Sequence, residues 1–123
     1  KRVLVNADPS LLQQVFVNLI RNALDAMSTT AVPQLVIRFI QSDDQLAIQF
    51  CDNGIGLSED ALTRLFFPFE TSKEHGLGLG MVICKRIIEE HNGHIQAQIN
   101  RDSEGEKSSG LTLTITLPIE AKN

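Results

Sequence analysis

Between Asp52 and Gly80 the chain reads DNGIGLSEDALTRLFFPFETSKEHGLGLG, with glycines clustered at both ends. Glycine loses more conformational freedom on folding than any other residue. Gly54, Gly56, Gly76, Gly78 and Gly80 at this spacing therefore need a reason, and one is backbone passing close to something bulky and polar. Phosphate fits, because successive N–H groups leading into a helix form an anion cradle. The stretch predicts a nucleotide site. Asp52 closes a row of alternating apolar residues, Leu46, Ile48 and Phe50, and falls on their side. A carboxylate there is expensive unless hydrogen-bonded, which makes it a candidate acceptor for a ligand donor. The alternative is a turn-forming Asp that accepts from its own loop; the glycines immediately after it favour the ligand.

A second polar set precedes it. Gln14, Asn18, Asn22 and Asp25 fall on one line of a helix. Asparagine is a mediocre helix former, so this stripe is either a solvated edge or a set of side chains with a polar task, and alone it does not decide. Other nucleotide and catalytic patterns are missing. No Gly stands five places before a Gly-Lys-Ser/Thr, Gly78-Leu79-Gly80 lacks a third Gly three residues on, and no Gly-x-Ser-x-Gly occurs. His91 and His94 have no cysteine partners to complete a zinc site.

The elements that must position these residues follow from periodicity. Val3 to Val5 is read as a short edge strand. Asp8 caps a helix with Pro9 at its first position, running to about Met27 with Leu12, Phe16, Leu19, Ala23 and Met27 on its core face. Gln34 to Gln41 alternates as a strand, Ser42 to Gln45 is a turn, and a second strand leads into Asp52. Ser58 starts a short helix that ends at Phe66-Phe67-Pro68-Phe69. A loop without apolar residues spans Glu70 to His75. A second long helix follows Gly76 to Gly80, with Val82, Ile83, Ile87 and Ile88 inward and Asn92-Gly93 as its stop. His94 to Asn100 and Leu111 to Leu117 alternate as the last strands, with Arg101 to Ser109 a polar hairpin loop.

The totals set limits. The chain has 123 residues, enough for one domain with a real core, and we read 1–123 as a single unit without internal repeats. The net charge of −4 argues against general nucleic-acid binding. No apolar run approaches the roughly 20 residues that cross a bilayer, and no signal-peptide pattern opens the chain. It begins without Met and reads as an excised domain. Cys51 and Cys84 read as two reduced thiols rather than a disulfide.

Four segments in order resemble the ATP-binding catalytic domain of sensor histidine kinases, within the GHKL superfamily. Asn18-Leu-Ile-Arg-Asn22-Ala is similar to the N box, Asp52-Asn-Gly54-Ile55-Gly56 to the first glycine box, Phe66-Phe-Pro-Phe69 to the F box, and Gly76-Leu77-Gly78-Leu79-Gly80 to the second glycine box. In the right order, with the helices and strands between them, they cover nearly the whole chain. The resemblance implies an α+β fold: a two-layer sandwich, with a mixed, mostly antiparallel sheet of about five strands on about three helices and a short ATP lid.

It also implies roles, with ATP and Mg2+ as cofactors. Asp52 would accept from the adenine amino group, which selects adenine over guanine because a carboxylate only accepts. Asn22 would hold the magnesium ion through its amide oxygen. Gly76 to Gly80, with Met81 beside them, would give backbone N–H groups to the phosphates, and Lys73 would reach the β- or γ-phosphate. Gly54, Ile55 and Gly56 would pass along the adenine, while Asp25 and Thr112 would make sugar or adenine-side contacts. ATP-hydrolysing members carry a Glu, four residues before the metal-binding Asn, as base on water; here that position is Asn18, which cannot take a proton. This favours phosphoryl transfer to an outside histidine, with Asn18 and Lys73 as the catalytic candidates. The chain departs from the family at Leu77, where many members have Thr, and in the short segment from Phe69 to Gly76.

No acceptor motif accompanies His75, His91 or His94. The implied partners are therefore an acceptor-histidine dimerisation domain of the same protein, in a homodimer, and a response-regulator receiver domain. No nucleic acid or membrane contact is implied, and the location implied is cytoplasmic, or the cytoplasmic part of a membrane-anchored sensor. The alternatives are an ATPase or serine kinase of the same superfamily and a non-catalytic nucleotide-sensing domain. The lid wording is similar to sensor kinases of the nitrogen-regulation or C4-dicarboxylate type.

Overall fold

Asp8 has extended backbone (φ −86°, ψ 111°), and its Oδ1 accepts from the N–H groups of Ser10 and Leu11 at 2.9 and 3.2 Å. With Pro9 next, this cap starts helix α1, Pro9–Ala26. The computed structural model describes residues 4–68, 80–101 and 108–119. After α1 come β1 (Leu35–Gln41), β2 (Gln45–Asp52), α2 (Glu59–Thr63), α3 (Gly80–Glu90), β3 (His94–Arg101) and β4 (Ser108–Pro118).

The sheet has four strands in the order β1-β2-β4-β3, and every neighbouring pair is antiparallel. The expected fifth strand and the mixed pairing are absent among the described residues: Leu4 and Val5 are irregular, and Val3 lies outside them. Val5 packs on the core as a side chain instead.

Alternation sorts the strands into two faces. Ile48 and Phe50 of β2, Leu113 and Ile115 of β4, and Ile95 and Ile99 of β3 face the helices and are buried. Against them lie Val15, Leu19 and Ala23 of α1, with the Phe16 and Phe50 rings 5.9 Å apart. On α3 the buried residues are Met81, Cys84, Ile87 and Ile88. The expected inward Ile83 is 36% exposed, because the true stripe steps by three and four from Met81 and leaves position 83 on the flank. β1 lies beyond the helix layer, and Phe39 is 68% exposed. Among the described residues no helix is long and apolar enough to cross a membrane.

The end of α3 makes a Schellman turn: Asn92 N–H donates to the Glu89 carbonyl and Gly93 N–H to the Ile88 carbonyl, with Asn92 at φ 63°. Gly93 is required because β4 passes there, and a Cβ would run into the Thr116 carbonyl.

Leu19 is fully buried between the two layers. Leu19→Ala should therefore cost about 3 kcal/mol of stability, mostly through the cavity it leaves. Urea denaturation would measure this, and a loss below about 1 kcal/mol would mean that the layers close over the gap.

Candidate nucleotide site

The end of β2 carries Asp52 onto the core-facing side, where it is the only buried charged residue among those described. Its two hydrogen bonds both end on Oδ1, from the N–H groups of Gly54 at 2.9 Å and Leu111 at 3.3 Å. Oδ2 has no hydrogen-bond partner among the described residues and is not sealed from solvent. Burial raises the Asp52 carboxyl above the ordinary carboxylate range, and the two backbone N–H groups partly oppose this. One oxygen is thus fixed by the fold and the other is presented outward as an acceptor.

Residues that sequence reasoning passed over hold this arrangement. Gly110, at φ 121°, lies so close to the Asp52 backbone that a Cβ would meet the Asp52 carbonyl. Asn100 donates to the same carbonyl at 3.3 Å. The Ser-Ser-Gly-Leu entry into the last alternating run was the available signal for Gly110, but a sequence assigns a glycine there equally well to a loop end. Asn53 clamps the preceding loop, accepting from Gln34 N–H and donating to the Val32 carbonyl, both at 2.9 Å.

Gly54 has a reason within the fold for being glycine. It packs on the end of α1, where a Cβ would strike the Ala26 carbonyl. Next to it, Ile55 N–H donates to that carbonyl at 3.0 Å, while the Ile55 side chain is 70% exposed. Gly56 has φ 69°, which a side chain resists. This seam brings the loop after Asp52 to within one helical turn, about 6 Å along the axis, of Asn22.

Asn22 is half-buried, and its Nδ2 lies 3.0 Å from the Met81 sulfur at the start of α3. Asn18, one turn earlier, hydrogen-bonds Cys84, and a Cβ on Gly80 would sit 3.8 Å from its Oδ1. The stripe on α1 therefore meets the N-terminal turn of α3. Gln14 and Asp25 at its ends are exposed. Among the described residues no three of His, Cys, Asp and Glu converge on a metal position. A cation beside Asn22 would take one neutral amide oxygen from it and its other ligands from phosphate and water, a donor set that suits Mg2+.

Thr112 does not join the site. It pairs with Cys51, so alternation turns it to the opposite face of the sheet from Asp52. There its hydroxyl donates to Asn100 Oδ1 at 2.7 Å and lies 3.4 Å from the Cys51 sulfur. The neighbouring Leu111 meets Asp52, through its backbone. Phe66 packs on the core and Phe67 is 56% exposed. Lys73, Gly76, Leu77, Gly78, Leu79 and Phe69 lie outside the described residues. Two open grooves lie elsewhere, one between Phe66 and α3 and one on the outer flank of α1 that includes Asn18. Neither reaches Asp52, whose hydrogen-bond geometry is the better guide to the chemistry.

Cys84 is fully buried, and its thiol is pushed up to about 11 by burial, opposed in part by the Asn18 hydrogen bond. Iodoacetamide at pH 8 should leave Cys84 unmodified in the folded chain and label it once denaturant is added, read by mass spectrometry. Labelling of Cys84 in the native protein as fast as in the unfolded one would contradict the packing.

Comparisons with known proteins give the family and the fold. A family described as histidine kinase-, DNA gyrase B- and HSP90-like ATPase matches residues 7–121. Sporulation kinase E of Bacillus subtilis (strain 168) is 39% identical over 115 residues, which make up 94% of this chain and 15% of that protein. The catalytic domain of histidine kinase ThkA superposes with a TM-score of 0.77 at 29% identity, over 93% of this chain and 71% of that one. A full-length ShkA structure in complex with AMPPNP gives a TM-score of 0.77 at 24% identity, over 96% of this chain and 23% of that one. The chain thus spans a small part of the length of the curated relative.

Proposed function

The chain belongs to the histidine kinase-, DNA gyrase B- and HSP90-like ATPase family, and from that premise we propose that it binds Mg-ATP for transfer of the γ-phosphate to a histidine on a separate dimerisation domain. The observation that carries the reading is Asp52, with Oδ1 held by two backbone N–H groups and Oδ2 presented outward. Oδ2 accepts from the exocyclic amine of adenine, and a guanine carbonyl at that place would meet a second acceptor.

Asn22 holds Mg2+ through its amide oxygen. The ion supplies charge neutralisation along the triphosphate. Gly80 opens α3 beside Asn18 and Asn22, where the first-turn N–H groups favour an anion. Lys73 and the glycines from Gly76 belong to the same proposal as phosphate contacts. Asp25 and Ile55 are proposed as flanking contacts; Thr112 is not, because it faces away.

Asn18 carries no base, so the chain has no side chain there to deprotonate water. Neutral imidazole is already a nucleophile. In the transfer a P–N bond forms on the acceptor histidine as the bond between the γ-phosphorus and the bridging oxygen breaks, and ADP leaves. The proposed setting is a cytoplasmic one, in a homodimeric sensor whose phosphohistidine serves a response-regulator receiver domain. Sporulation kinase E and ThkA are named as kinases, which supports the reading.

Incubation with radiolabelled ATP tests it. The isolated chain should bind ATP, hydrolyse it slowly and acquire no acid-labile phosphate, while a supplied dimerisation domain from a related sensor should become labelled on histidine. Rapid hydrolysis without an acceptor would point to an ATPase instead.

A further inference from the structure

His91 stands where the last turn of α3 meets the first turn of α1, and it bonds to both. Its Nδ1 lies 2.7 Å from the Ile87 carbonyl and its Nε2 lies 3.0 Å from the backbone N of Asp8. A carbonyl only accepts and a backbone N–H only donates. The ring that satisfies both is neutral, with its proton on Nδ1 and Nε2 accepting. Asp8 is the cap of α1, and its Oδ1 is committed to the N–H groups of Ser10 and Leu11.

The two helices run antiparallel. The start of α1 meets the end of α3 through His91, and the middle of α1 meets the start of α3 through the Asn22–Met81 contact and the closeness of Gly80 to Asn18. A helix is a stiff rod, so a bond at one end of the pair sets the register at the other. We propose that His91 is a positioning residue: neutral, it latches α1 to α3 in the register that sets Asn18 and Asn22 against Gly80 and Met81, and protonated, it releases the latch and weakens nucleotide binding. This rests on the nucleotide reading above.

The sign follows from the donors. Protonation puts a second N–H on Nε2, facing the Asp8 N–H, and two donors cannot bond. Even if Asp8 Oδ2 turned to accept from the cation, with Oδ1 still capping Ser10 and Leu11, the Asp8 N–H would lose the ring as its acceptor. The Nδ1–H bond to the Ile87 carbonyl survives protonation, but it does nothing for Asp8. Among the described residues, the titratable groups next to His91 by contact or in sequence are Asp8 across the contact, Glu89 and Glu90 on its own helix, and His94 at the start of β3. Glu89 and Glu90 are engaged with Lys85 and Arg86 at 3.7 and 3.8 Å. His91 is only partly buried, so a proton can reach it.

The test is calorimetric titration with Mg-AMPPNP from pH 8 to 5.5, with thermal melts of the nucleotide-free chain over the same range and NMR of the imidazole nitrogens. Wild type should lose about three- to tenfold in affinity relative to His91→Gln across that range, the scale of one hydrogen bond, and melt lower in acid. His91→Gln both donates and accepts without titrating, so its melting temperature should be the less pH-dependent. Protonation of the nucleotide itself is common to both proteins and cancels in the comparison. His91→Lys, a donor only, should bind weakly at every pH, and His94→Gln should keep the wild-type profile. Identical pH profiles for wild type and His91→Gln, or a proton on Nε2 rather than Nδ1 at pH 8, would overturn the latch. If no variant binds nucleotide at any pH, the nucleotide reading fails and the effect on affinity falls with it, while the melts and the tautomer still uphold or overturn the latch.

Discussion

Asp52→Asn should weaken adenine-nucleotide binding by about 10- to 100-fold and at the same time make the nucleotide-free protein more stable at neutral pH. The two effects have one cause. The amide oxygen of the substituted side chain can keep the bonds from Gly54 and Leu111, so the fold retains its seam. Its amino group then stands where Oδ2 was, and it faces the adenine amino group donor to donor. The loss is that of a hydrogen bond to a charged group, about 1.5–3 kcal/mol. Removing the charge also relieves the desolvation that raises the Asp52 carboxyl.

The pH dependence follows from that direction. An acid whose folded value lies above its unfolded one favours folding most when protonated. Its contribution is fully present below the ordinary Asp range and is lost as pH rises through the elevated folded value. The variant should therefore melt higher than wild type at pH 7.5, and the gap should close towards pH 3. Calorimetric titration with and without Mg2+, alongside thermal melts at both pH values, reads each half separately. A variant that melts lower than wild type at pH 7.5 would show that the carboxylate stabilises the fold, and unchanged affinity would remove Asp52 from the site.

Gly110→Ala should be more damaging than any single surface change, although it adds one methyl group. The backbone at φ 121° excludes a side chain at a cost of about 1–2 kcal/mol, and the new Cβ would meet the Asp52 carbonyl rather than a yielding side chain. Either β4 retreats, losing the Leu111 N–H bond to Oδ1, or Asp52 moves. We expect a stability loss of about 2–4 kcal/mol together with weakened nucleotide binding. Leu19→Ala offers the contrast: a loss of similar size from the core, with affinity for nucleotide unchanged once the folded fraction is accounted for. Denaturation and calorimetry on both variants separate the cases, and Gly110→Ala binding normally would mean that the start of β4 does not position the acid.

Local rules reach far into this chain and stop at identifiable places. Asp8-Pro9 specifies a helix start without reference to anything distant, because the cap is made within three residues. Alternation specifies which face each strand residue takes, and the four-residue steps put Asn18 and Asn22 on one line. The carboxylate at the end of an apolar row is legible for the same reason: period two carries it inward whatever lies opposite.

Partners across the fold are not legible. Thr112 lies on the other side of the sheet from the one expected, because which strand residue meets Asp52 depends on register, and register is settled by pairing, here Cys51 against Thr112. Gly54 reads in sequence as room for adenine; the constraint that only the fold shows is the Ala26 carbonyl, far away along the chain. The fifth strand expected at Val3–Val5 has the apolar residues for it, but a strand also needs a neighbour to bond, and Leu4 and Val5 pair with no strand among the described residues. The sequence by itself determined the seven described elements and most of their faces, and singled out the acid and the two amides as candidates. Only the tertiary structure decided which of Asp52's oxygens is held and which is offered, and that His91 joins the far ends of the two helices, because those depend on bonds between residues that no local period relates.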